Sequence, residues 1–390
     1  MLDARGQALA PLFGLIAGAC STQATPSGVE RPAAQTRAPI VVTERGPSGG
    51  RLVAIDETGD RLFAVIRPAV QVTRDTNPAI SPDGEWLVFA SSRGRAKLEE
   101  TSLWLAPLGV EVEPTQLTFG PSVDTHPTWS RDGARVIFAS TRAGSFDLWS
   151  VSFEVVAGAP RLGEPVRLTD APDQELTPTV APDGSIAYAA LRVSEGEGSG
   201  AEPAATSRIE VRAPDGSIRT LTEGPADASP SYSPTGDELA WTKPELRARG
   251  VDSDLWVMPS AGGAGRKVID LVGTDENGPV WSRDGRLLFS TSLLRGADGR
   301  PLFSSVIFVP LADPQPVARI LVDRVGAVAR LTPTLSKIPL REAILRQRPE
   351  YVDTLRDVLR QAVERAASAP EDAAAPGDAS APSGATKPPR

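Results

Sequence analysis

HPTWSRDGARVIFAS, residues 126–140, decides the fold, because altered copies of it return along the chain. Asn77–Ser91 reads NPAISPDGEWLVFAS, Thr177–Leu191 TPTVAPDGSIAYAAL, Ser229–Lys243 SPSYSPTGDELAWTK and Gly278–Ser292 GPVWSRDGRLLFSTS. Each copy runs a short apolar strand into a tight turn and out into a second apolar strand. Within the turn Pro presets φ, Asp bonds the local backbone, and Gly accepts a conformation that a Cβ resists. The proline near the start of each copy falls at Pro78, Pro127, Pro178, Pro230 and Pro279, at intervals of 49, 51, 52 and 49 residues. A period of about fifty residues carrying about four strands is that of a propeller blade.

Third and fourth strands recur in the same register. Ser102–Leu108 (SLWLAPL), Asp147–Phe153 (DLWSVSF), Arg208–Ala213 (RIEVRA), Asp254–Pro259 (DLWVMP) and Ser305–Leu311 (SVIFVPL) fill one slot. Thr115–Thr118, Val166–Thr169, Arg219–Thr222 and Ala318–Val322 fill the next. All seven tryptophans fall in these repeat strands, where their expected work is packing between blades. Five turns in register, PDG, RDG, PDG, PTG and RDG, resemble the TolB-type propeller repeats, Pro-Asp relatives of the WD repeat, over residues 75–311. The resemblance implies a non-enzymatic scaffold that binds a protein or peptide, since the TolB propeller docks the peptidoglycan-associated lipoprotein Pal. The stretch ahead of the repeats is too short for the α/β domain that precedes the propeller in TolB, so the resemblance concerns the fold more than the role.

An open array of blades would leave raw strand edges. Arg51–Asp56 and Arg61–Ile66 read as strands before the first full copy, and Thr332–Ser336 (TPTLS) reads as the first strand of a sixth copy without its turn. The expected architecture is therefore all-β: a six-bladed propeller of four-stranded antiparallel blades over residues 41–338, its last blade closed by N- and C-terminal strands. The polar run Val193–Ser207 reads as a surface loop. Residues 339–367 are expected to form a C-terminal helical segment, amphipathic from Pro349 onward, and 368–390 a disordered Ala/Pro-rich tail.

Residues 1–19 carry a short apolar run of signal-peptide type. Ala17-Gly18-Ala19-Cys20 resembles a bacterial lipobox, which implies lipidation of Cys20, a flexible tether over 20–40, and, with Ser21 next, the periplasmic face of the outer membrane. The alternative is a soluble periplasmic or secreted protein. A net charge of −8 disfavours nucleic acid and anionic lipid surfaces as partners. With one Cys and one His in 390 residues, no disulfide framework or multi-histidine metal site fits within one chain. His126 sits where other copies carry Asn77, Thr177, Ser229 and Gly278, and so reads as a structural residue leading into its strand.

Three matches to chemical motifs fail on context. Gly46–Gly50 satisfies G-x-S-x-G without the flanking strand and helix of a nucleophile elbow. Gly262–Gly265 sits between strands without the following helix or Lys-Ser/Thr pair of a P-loop, and Asp252-Ser253-Asp254 lacks the Gly and terminal Glu of a calcium loop. One repeated feature remains. An acid stands three residues before each repeat proline: Asp75, Asp124, Glu175, Asp227 and Glu276. These five either cap their own tight connections or form a negative collar at one channel mouth that draws a basic protein or peptide. The expectation is a monomer with no cofactor, no metal and no catalytic residues. The alternative is a lactonase-like, metal-dependent hydrolase that takes oxygen ligands from Asn77, Asn277, Glu276 and Asp75.

Overall fold

The computed structural model describes residues 40–335, except 47–48, 56–60, 68, 109–111, 195–203, 248–249, 272, 296–300, 314–316 and 326–328, together with Arg360. The expected signal segment, Cys20, nearly all of the tether, and the helical segment and tail after 338 lie outside the described residues, Arg360 excepted.

The strands group as the repeats demand. β1 (Ile40–Gly46), β2 (Gly49–Ile55) and β3 (Arg61–Ala64) come first, followed by β4 (Asp75–Ile80), β5 (Trp86–Ser91), β6 (Ser102–Pro107) and β7 (Thr115–Gln116). β8 (Asp124–Trp129), β9 (Arg135–Ser140), β10 (Asp147–Val156), β11 (Ala159–Leu162) and β12 (Val166–Arg167) make the next group. Then come β13 (Gln174–Val180), β14 (Ile186–Ser194), β15 (Ala204–Arg212) and β16 (Ile218–Thr220). β17 (Ala228–Tyr232), β18 (Glu238–Arg247), β19 (Gly250–Pro259) and β20 (Arg266–Lys267) precede β21 (Asp275–Trp281), β22 (Leu287–Arg295), β23 (Pro301–Pro310), β24 (Arg319–Val325) and β25 (Ala329–Leu335). Each group pairs antiparallel within itself, and a single parallel bridge, Ser253 to Asp275, joins the last two groups into one sheet. β25 pairs with β1, so the C-terminal end of the described chain completes the sheet begun at its N-terminal end. The sequence predicts two N-terminal strands there; β1 is a third, lying between β25 and β2.

The first strand of each group packs against the next. β4 touches β8, β8 touches β13, β13 touches β17, β17 touches β21, β21 touches β25, and β25 returns to β4. Apolar faces fill the spaces between neighbouring sheets. Trp86, Val88 and Leu103 meet Trp129, Val136 and Phe138 in one such layer, while Ile40, Val42 and Val53 meet Phe289, Val306 and Phe308 in another. Phe89, Phe138, Tyr188 and Trp241, which stand at equivalent places in the second strand, are all buried, as is Phe289 one place earlier in its own strand. The tight turns follow their sequence signature: Asp132 accepts from the Ser130 hydroxyl and the Ala134 N–H, and Gly133 takes a φ of 72°.

Two local features were not foreseen. Val193 and Ser194 pair with Ala205 and Ala204, so the run read as a loop is partly an extension of β14 and β15, since a ladder needs backbone groups and not apolar side chains. More consequentially, every full inner strand is broken at its repeat proline. The register shifts between Thr76 and Ala79, Thr125 and Thr128, Leu176 and Thr179, Ala228 and Ser231, and Asn277 and Val280. Pro has no N–H for the ladder, and a bulge accommodates it. The residue ahead of each proline enters the left-handed region, with φ of 51° at Asn77, 48° at His126, 52° at Thr177, 50° at Ser229 and 64° at Gly278.

Candidate functional site: the central channel

The six inner strands enclose a channel, and the bulges shape its wall. A cavity of about 370 Å³ is lined by Asn77, His126, Thr177, Ser229, Asn277 and Gly278, with the prolines that follow and Pro333 of β25. All six inner strands therefore contribute to one space. Left-handed backbone costs a non-glycine residue about 1–2 kcal/mol. Four copies hold it, and the result is a polar ring at one level of the channel. His126 belongs to this ring, which corrects its reading as a residue that merely leads into a strand. Its Nδ1 is buried without a hydrogen-bond partner, and burial pushes its pKa down to about 4, so the ring is neutral at physiological pH.

Further along the same strands a second space of about 510 Å³ opens at the turn end. Thr128, Trp129, Thr179, Ser231 and Trp281 line it, and Arg131 and Arg283 stand at its edge. The two tryptophans are locked by their indole N–H groups, Trp129 to the Ala79 carbonyl at 3.0 Å and Trp281 to the Ser231 carbonyl at 2.9 Å.

The five repeated acids lie elsewhere. Asp75, Asp124, Glu175, Asp227 and Glu276 are all buried, none more than 3% exposed, and none lines either space. Asp75 accepts from the Ser91 hydroxyl at 2.5 Å and from Arg93 Nη2 at 3.0 Å. Asp124 accepts from Ser140 at 2.5 Å, from Arg142 Nη2 at 3.0 Å, and from Ser122 at 3.2 Å. Glu175 accepts from the Thr169 hydroxyl and the Leu148 N–H, and Asp227 from the Gly224 N–H. Glu276 accepts from Thr274 at 2.8 Å and Ser292 at 2.7 Å.

An open negative collar is thus not what these side chains form. The reason is register: Asp75, Asp124 and Glu276 stand directly opposite a serine on the second strand, and the serine hydroxyl draws the carboxylate in between the strands. Arg93 and Arg142, two residues past that serine, neutralise two of the acids. Glu175 and Glu276 have no such arginine, and burial raises them to about 7 and about 8. Capping of the acid's own connection describes Asp227, which bonds Gly224, better than it describes the others. The sequence did hold a signal for this arrangement, Ser91-Ser92-Arg93 and Ser140-Thr141-Arg142 in equivalent places after the turn. Of the oxygen ligands envisaged for a metal, Asn77 and Asn277 share the channel while Asp75 and Glu276 do not line it. Among the described residues no group of three His, Cys, Asp or Glu side chains is placed to hold a metal ion.

Four-stranded antiparallel sheets whose first strands close on themselves around a channel define a β-propeller. Residues 73–251 match the family model described as the TolB beta propeller domain, which bears out the resemblance of the repeats to TolB-type propellers over that stretch. Solved structures agree on the fold. Putative TolB from Agrobacterium tumefaciens superposes with a TM-score of 0.51 at 18% identity, over 74% of this chain and 90% of that one. TolB from Acinetobacter baumannii gives 0.52 at 15%, over 78% and 67%. Hydrazine synthase from Kuenenia stuttgartiensis gives 0.51 at 12%, over 78% and 48%. No curated protein is similar to this sequence at a significant level.

Proposed function

We propose that this chain is a non-enzymatic, envelope-associated binding protein whose six-bladed propeller receives a segment of a protein or peptide in its channel. The observation that carries the reading is the polar ring: six inner strands place side chains in one space, and four of them accept strained backbone there. Strain of this kind accumulates where a site, and not the core, needs a particular geometry. The closed cycle of inner-strand contacts supports six blades, and the likeness to two TolB structures supports an envelope setting. In this reading Cys20 carries the lipid anchor to the periplasmic face of the outer membrane, and the protein works as a monomer. The buried state of the five acids removes the reason to expect a basic partner.

The test is capture from crosslinked envelopes with the full chain, wild type against Ser229→Trp, which fills the ring. Ser229→Gly serves as the control that empties the position while suiting its backbone. A partner retained by wild type and by the glycine variant but lost with tryptophan is expected. Identical capture by all three folded proteins would remove the channel as the binding site.

A further inference from the structure

The two arginines at the turn end are a departure from the repeat that the turn itself does not require. The second turn position is Pro82, Arg131, Pro182, Pro234 and Arg283 in successive copies, and Pro is the residue that presets this turn. Arg131 follows β8 and Arg283 follows β21, three steps apart in the cycle of inner strands, so the two stand on opposite sides of the same mouth. Each side chain lies across that mouth. Arg131 Nη2 donates to the Ser233 carbonyl at 2.9 Å, and Arg283 Nη2 donates to the Pro82 carbonyl at 2.8 Å, in each case on a turn two steps away.

Neither guanidinium meets a carboxylate among the described residues. Asp132 and Asp284, their chain neighbours, are engaged in their own turns through Ser130 and Ser282. A guanidinium carries five N–H donors, and carbonyl contacts through Nη2 leave Nε and Nη1 available. Partial burial, and secondarily the charge of Arg283, lowers the pKa of Arg131. Two like charges thus line one space with no carboxylate beside them among the described residues, on a protein of net charge −8.

We propose that Arg131 and Arg283 form a cationic clamp that binds an anionic oxygen group, a carboxylate or a phosphate, presented at the turn-end mouth of the channel. The planar fork of arginine matches both groups through paired N–H donors. Trp129 and Trp281 supply an apolar floor beneath the clamp, and Thr128 a hydroxyl beside it. The proposal deepens the channel-binding reading and rests on it: the ligand's charged group would lie at the turn end, with the rest of it threaded toward the polar ring.

Calorimetric titration of the full chain with an acetylated tetraglutamate peptide, and separately with inorganic phosphate, tests the clamp and distinguishes its two sources. Arg131→Gln, Arg283→Gln and Arg131→Lys are compared with wild type, with circular dichroism checking that each is folded. Saturable binding of either probe is expected, weakened about tenfold by each glutamine variant, as loss of one charged hydrogen-bonding partner implies. The lysine variant, which keeps the charge without the fork, should fall between. Binding that is absent in wild type, or equal in wild type and in both glutamine variants, overturns the clamp. If envelope capture depends on Ser229 but not on either arginine, the channel reading stands and the clamp alone fails.

Discussion

The two ends of the channel treat charge in opposite ways. Where the inner strands begin, five acids recur with the period of the blade, yet each turns inward to a hydroxyl, an N–H or a guanidinium of its own surroundings. At the turn end two arginines break the period, and their charge remains on display. A residue that recurs together with its partner is part of how a blade is built. One that departs from the repeat and meets only backbone carbonyls keeps its charge for a ligand. His126 obeys the same rule: it alone is aromatic in a ring of Asn, Thr, Ser and Gly, and it faces the channel.

The largest effect should come from removing a neutralising arginine at the buried end. Arg93→Ala leaves Asp75 charged and unpaired in the interior, and breaking a buried pair from one side costs about 3–5 kcal/mol. Urea unfolding is the measurement, and Arg142→Ala should behave alike through Asp124. A cost below about 1 kcal/mol would mean that these acids are solvated, and the contrast between the two ends would disappear.

The next effect depends on pH. Glu276 has a pKa of about 8 in the folded protein against 4.5 unfolded. Below the unfolded value both states hold the proton. Between the two values only the folded state does, so its stabilising share declines as pH rises and is lost once pH passes about 8. Glu175, at about 7, acts in the same direction. Glu276→Gln should therefore match wild type near pH 5 and exceed its melting temperature by several degrees near pH 8, where wild type must bury a carboxylate. A stability difference that does not change with pH would show that the carboxyl is not held in its protonated form.

Smaller effects are expected at the other end and at the ring. Arg131→Gln and Arg283→Gln alter exposed side chains, and unfolding free energies should move by about 0.5 kcal/mol or less, however strongly binding responds. Ser229→Gly exchanges relief of left-handed backbone against the entropy glycine loses on folding, and a net change under about 1 kcal/mol is expected. Such a null result in stability beside a positive result in binding is what sharpens the comparison.

Much of the fold was legible in the sequence because a propeller writes itself five times. The turn, the apolar faces and the blade period are all local, and repetition lifts them above chance. Closure was partly legible in Thr332–Ser336, although β1 was not, since Ile40–Gly46 has no copy elsewhere. The site was harder to read. Spacing placed the five acids at the starts of the inner strands, but which way a carboxylate turns depends on the residue across the ladder, and Ser91, Ser140 and Ser292 decided that. Left-handed backbone at His126 was hidden because the position tolerates five residue types. Arg131 and Arg283 were visible as RDG in place of PDG, but their meaning depended on two turns more than 150 residues apart facing one another across a ring.

The most direct measurement compares two variants in both assays. Asp75→Asn/Asp124→Asn/Asp227→Asn removes charge from the buried end, and Arg131→Gln/Arg283→Gln removes it from the open end. Urea unfolding and titration with the tetraglutamate peptide or phosphate, whichever wild type binds, are run on both. The triple variant is expected to lose stability by several kcal/mol and, while folded, to bind the probe as wild type does; the double variant should keep its stability and lose the probe. A triple variant of unchanged stability that binds the probe differently, or a double variant that unfolds early and binds normally, would contradict the division of labour between the two ends.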